Sequence, residues 1–87
     1  MIKVKIRQRQ DGDWIHEDYA SCKTLKDLLK MQDGIIEECK EMYGKVKVLK
    51  RICSLEPDYN RIGNPYQNLR VYDKNLEDGI WIDIIHV

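Results

Sequence analysis

Only one stretch of this chain carries the periodicity of a helix. Leu25, Leu28, Leu29, Ile35, Ile36, Cys39 and Met42 recur at three- and four-residue spacing, which puts them on one side of an α-helix. Thr24-Leu25-Lys26-Asp27 has the form of a capping box in which Thr24 accepts from the amide of Asp27. Gly44 sits where a left-handed C-cap residue belongs. The pattern predicts one helix over 24–43. Gly34 lies inside it at a cost of about 1 kcal/mol relative to alanine, so a break near Asp33-Gly34 is the alternative. A lone amphipathic helix needs an apolar surface to lie on, and every other periodic segment here has period two. The class is therefore α+β, with one helix on a sheet, in a single domain over residues 1–87.

Ile2, Val4 and Ile6 alternate with Lys3, Lys5, Arg7 and Arg9, predicting a strand with one apolar and one basic face. Asp11-Gly12 is a hairpin signal, and WIHEDYAS returns as the second strand. A two-residue turn would set Arg9 opposite Trp14, Arg7 opposite His16 and Lys5 opposite Asp18. It would place Ile15 and Tyr19 on the core side, with Glu17 beside them. Glu17 fits poorly there, and an edge position, a bulge or a longer turn would relieve it. KVKVLKRIC predicts a third strand, LRVYD a short fourth and Ile80 to Val87 the last. Residues 54–68 hold both prolines and two tyrosines, a long connection of the kind that is functional or self-packed. Tyr59, Arg61 and Tyr66 within it either form a second contact site or close one end of the core.

Composition narrows the function classes. Lys+Arg and Asp+Glu stand at 15 each, so no bulk pull toward nucleic acid or an acidic membrane is indicated. The 43% apolar fraction argues for a folded chain. Cys22, Cys39 and Cys53 are widely spaced, with no C-x-x-C and no nearby histidine to suit zinc. They read as reduced thiols, and MIKVKIRQRQ does not read as a signal peptide. No apolar run approaches the ~20 residues that span a bilayer. The expectation is a cytoplasmic protein of a host cell or of a virus infecting one.

Two segments resemble a known family. TLKDLLKM is similar to the opening of the helix in the small sulfur carriers of thiamine and molybdopterin synthesis, which often read T-V-x-x-L-L. LEDGIWIDII is similar to their final L-x-D-G-D-x-V-x-I-I. The resemblance implies a β-grasp, or ubiquitin-like, domain with a mixed four- to five-stranded sheet on one main helix. It also implies that the last strand lies at the centre, between the first and third. The carriers end in a mobile Gly-Gly tail whose carboxylate is adenylated, whereas this sequence ends Ile85-His86-Val87. Sulfur transfer and conjugation are therefore not expected.

With that strand order, parity assigns Ile80, Ile82 and Ile84 to the core and Trp81, Asp83, Ile85 and Val87 to the open face. Their neighbours would be Lys3, Lys5, Arg7 and Arg9 on one side and Lys45, Lys47, Leu49 and Arg51 on the other. Trp81, Ile85 and Leu49 would form an apolar centre walled by cations. The expected contact residues are Lys5, Arg7, Trp14, Lys45, Lys47, Leu49, Trp81 and Ile85. The pattern of aromatic anchor, apolar centre and charged rim suits a protein partner with an acidic surface. The bland reading is that Lys and Arg stems cover the aromatics and leave a solvated face. The expected function is a non-enzymatic protein-binding module, as a subunit of an assembly or a phage-type inhibitor of a host protein. The alternative is a nucleic-acid-binding module using the same basic and aromatic face.

Reaction chemistry has little support in the residues. His16 and His86 are far apart, Cys53 has no adjacent base, and Cys39 occupies a helical core position. No glycine-rich phosphate loop occurs. No enzyme activity, cofactor or metal is expected.

Overall fold

A computed structural model describes residues 1–87. The elements are β1 (Ile2–Gln10), β2 (Asp13–Cys22), α1 (Leu25–Tyr43), β3 (Val46–Lys50), β4 (Asn68–Asp73) and β5 (Gly79–His86). The strands form one five-stranded sheet in the order β2-β1-β5-β4-β3, and α1 packs against one of its faces. This α+β arrangement is compatible with a β-grasp-like fold.

Two expectations need correction. The sheet is antiparallel at every pairing rather than mixed, and β5 lies between β1 and β4 rather than between the first and third strands. The cause is local. Only residues 74–78 join β4 to β5, and strands joined so closely pair antiparallel with each other. The carboxylate of Asp73 organises that turn by accepting from the amides of Glu77 at 3.0 Å and Asp78 at 3.2 Å. β3 then pairs with β4 and takes the outer edge.

β2 and β3 run in the same direction on opposite edges, so α1 must cross the whole sheet between them. Four strand spacings are about 19 Å. A helix of 19 residues is about 28 Å long, enough to cross diagonally while climbing one strand length. α1 runs unbroken through Gly34, with Thr24 accepting from the amide of Asp27 at 3.2 Å and Gly44 at φ 76° ending it. It is not long and apolar enough to cross a membrane.

The buried stripe of α1 is Leu28, Gln32, Ile36 and Cys39. These face Ile2, Val4, Leu69, Val71, Ile80, Ile82 and Ile84 in a single core. Leu25, Leu29, Ile6, Val46 and Val48 only border it. The apolar pattern did not show Gln32, which is 2% exposed. Its side-chain amide donates to the carbonyl of Ile52 at 3.0 Å and accepts from the Ile52 amide at 2.7 Å. β3 has ended at Lys50, short of the Cys53 that its sequence pattern reaches, so Gln32 takes the place of a strand partner. Losing it would strand two buried backbone groups at about 1–3 kcal/mol each.

The first hairpin contains a bulge. Gln8 pairs with His16 but Arg9 with Trp14, so Ile15 is the extra residue. The shift keeps Arg9 opposite Trp14, sets Arg7 opposite Glu17 and sets Lys5 opposite Tyr19. Glu17 and Tyr19 thereby move to the open face, and Glu17 meets the ammonium of Lys5 at 3.1 Å. Of the relieving alternatives, the bulge and the edge position are both realised, and the turn keeps its two residues.

The connection from 51 to 67 is tied down near its two ends, while residues 58–64 are exposed. Leu55 and Tyr66 lie against the core, and Gln67 accepts from the amides of Cys53 at 2.6 Å and Ser54 at 3.2 Å. Asn64 donates its side-chain amide to the carbonyl of Ile84. Arg61 donates to the carbonyl of Tyr66 at 2.7 Å, while Tyr59 projects into solvent.

Burial makes this core sensitive to alkali. It pushes the Cys39 thiol up from 9.0 to about 11, with Glu38 adding to the effect. Cys22 is raised by burial and then by Asp27, and Tyr43 chiefly by burial. A thiol whose folded pKa is raised stabilises fully below its ordinary value, and that stability is lost as pH climbs through the folded value. Denaturant unfolding at about pH 8 and about pH 10.5 is expected to show a loss on the order of 2 kcal/mol from Cys39. Cys39→Ala should flatten this pH slope, and an unchanged slope would dissociate it from that thiol.

Candidate functional site: the open sheet face

The face of the sheet turned away from α1 is set by β-strand parity. β1 contributes Lys3, Lys5, Arg7 and Arg9. β2 contributes Trp14, Glu17 and Tyr19, and β5 contributes Trp81 and Asp83. β4 contributes Asn68, Arg70 and Tyr72, and β3 contributes Lys47 and Lys50. Sequence parity in LRVYD marks Arg70 and Tyr72 as outward, but the expected strand order left no room for β4 beside β5. These three β4 residues separate Trp81 from Leu49.

Asp83, only 9% exposed, occupies the centre. One carboxylate oxygen meets Arg70 at 2.8 Å and the other meets Arg7 at 3.1 Å, from the strands on either side. Those two guanidinium groups bracket Trp81. Arg70 lies 3.8 Å and Arg7 5.1 Å from its ring centroid. Arg7 also lies 4.6 Å from the Trp14 ring and Arg9 5.2 Å. The two indoles meet edge to face at 4.7 Å, and Tyr72 meets Trp81 the same way at 6.2 Å. The result is a ladder of alternating cations and rings, held by one carboxylate.

The expected contact residues divide accordingly. Arg7 and Trp81 belong to the ladder and are half-buried; Trp14 stands at its rim, 43% exposed. Lys5 is half-buried and paired with Glu17. Lys47 is exposed opposite Tyr72, and Lys45 precedes β3. Leu49 sits at a bulge on the far edge, and Ile85 at another where β5 leaves register with β1. Trp81, Ile85 and Leu49 therefore do not make one apolar centre; a charged cluster stands there instead. Strand alternation alone would point His86 to the core side, and the bulge at Ile85 sets it opposite Lys3 instead, exposed.

Electrostatics distinguishes this face from the rest of the molecule. Seven cations stand on it against Glu17 and Asp83, an excess of five in a chain whose total is zero. All four buried side-chain polar atoms without a partner also lie here: Arg7 Nε, Arg9 Nε, Asn68 Oδ1 and Trp81 Nε1. The surface has no pocket, and no three His, Cys, Asp or Glu residues are grouped as metal ligands. Comparisons with protein-family models, curated proteins and solved structures give no match to this chain.

Proposed function

We propose that this chain is a protein-binding module that presents its open sheet face to an acidic partner. Its role would be non-enzymatic and cytoplasmic, as a subunit of an assembly or as an inhibitor of the phage type. The observation that carries this reading is the segregation of charge: five excess positive charges on one face of a neutral chain, with Trp14 and Tyr19 exposed among them. Such a field steers an acidic partner and orients its docking. The four unpartnered polar atoms add support, because breaches of polar satisfaction concentrate where a surface serves something other than stability. Kinship to the ubiquitin-like carriers rests on the two sequence motifs alone.

The same charge excess suits phosphates, which sustains the nucleic-acid reading. Against it, guanidinium groups already occupy positions over both indoles where bases would stack. Trp14 and Trp81 are the only tryptophans, and both lie on this face, so intrinsic fluorescence reports on it directly. Titration with polyglutamate is expected to shift that fluorescence, and Lys47→Glu with Lys3→Glu should weaken the binding at least about tenfold. Response to a single-stranded oligonucleotide with a steep salt dependence, and none to polyglutamate, would move the assignment to nucleic acid.

A further inference from the structure

The sheet has two free edges, and they are built differently. β3 spans five residues, Val46–Lys50, and carries Lys47 and Lys50 with Lys45 and Arg51 flanking it. Short length and lysines are how natural edges refuse a further strand. β2 spans ten residues, eight of them exposed, and contains no lysine, arginine or proline. Its formal charges are Asp13, Glu17 and Asp18, and only Glu17 has a cation against it. Trp14, Ile15 and Tyr19 stand exposed along the same strand.

The outer backbone of β2 has no strand against it. The Tyr19 amide donates to the carboxylate of the preceding residue, Asp18, at 2.8 Å, which identifies an outward-facing donor satisfied within its own strand. Antiparallel alternation puts the amides of Glu17 and Ser21 on the same outward edge. We infer that β2 is a strand-addition edge, which takes an extended cationic segment of a partner protein as a sixth strand. Main-chain hydrogen bonds would supply the affinity, and alternate side chains the selectivity. The carboxylates of Asp13 and Asp18 would pair with lysine or arginine side chains on the incoming strand. Asp18 would release the Tyr19 amide to the incoming carbonyl. A second copy fits poorly, because two β2 edges would set carboxylates against carboxylates. This edge wants a basic segment and the sheet face an acidic surface, so the two readings stand or fall separately.

The test is a titration of the isotope-labelled full chain with a synthetic peptide of alternating lysine and threonine, matched to β2 in length. Hydrogen exchange at the Glu17, Tyr19 and Ser21 amides should slow at least about tenfold. A glutamate-threonine peptide should have no effect. The lysine peptide N-methylated at alternate residues keeps its charge but cannot form the ladder, and should lose the protection. Asp18→Lys, an exposed substitution, should abolish it too. The inference is overturned by the absence of protection, by equal binding of the N-methylated peptide, or by shifts centred on Lys47 and the Trp81 indole. Protection that rises with protein concentration alone would overturn it in favour of a second copy.

Discussion

Asp83→Ala is expected to lower the unfolding free energy by about 2–4 kcal/mol. The carboxylate is the only anion touching the guanidinium groups of Arg7 and Arg70. The side chains are 13%, 25% and 16% exposed in the order Asp83, Arg7, Arg70, so water replaces the lost partner poorly. Removing one member of such a cluster leaves charges facing each other without compensation, which costs more than the cluster contributes when intact. The residual solvent access keeps the expected loss at the lower part of the range for fully buried pairs. Asp83→Asn keeps an acceptor and loses the charge, so it should fall between. Urea midpoints read by circular dichroism measure the loss. The tryptophan emission should move as the rings lose their bracketing guanidiniums. An Asp83→Ala midpoint within error of the parent would mean that the ladder is held by packing alone.

Gly79→Ala is the second large effect, and its cause is steric. Gly79 pairs with Tyr72 at the start of β5. An added methyl would overlap the carbonyl oxygen of Val71 and lie 3.1 Å from the Cα of Tyr72. Backbone cannot rotate out of the way as a side chain can, so β4 and β5 would have to part where their hairpin closes. A loss of about 3 kcal/mol is expected from such overpacking. Gly34→Ala should have the opposite sign. Nothing lies within 4 Å of its added methyl, and the position is interior to α1. Alanine there should stabilise by about 0.5–1 kcal/mol. Thermal melts of the two variants side by side test whether space, rather than glycine content, decides the outcome. Equal shifts would refute the steric account.

How far the residues alone could be read depended on the range of the interactions involved. The limits of α1 were legible because Thr24 and Gly44 act within one turn of the helix. The core faces of β1 and β5 were legible because alternation is a property of neighbouring residues. The bulge at Ile15 was legible only as a problem: Glu17 on the core side called for relief, and nothing local chose the form. Gln32 stayed hidden because its partner is the backbone of Ile52, which carries no side-chain signature.

The open face was half legible. Its cations and tryptophans could be assigned by parity, but their grouping depended on strand order. Placing β4 beside β5 brought Arg70 against Trp81 and Asp83, and it carried Leu49 a further strand away. An expected apolar centre thereby became an ion-paired one.

By itself, then, the sequence determined the class, the single helix, the inward residues of β1 and of β5 as far as Ile84, and the neutral total charge, because periodicity, caps and composition act over a few residues or over none. Tertiary structure alone decided the antiparallel order, the grouping of Arg7, Arg70 and Trp81 around Asp83, and the contrast between an acidic long edge and a basic short one. These are consequences of which strands become neighbours. That choice is made by closing loops and burying one common core, and no single segment of the chain encodes it.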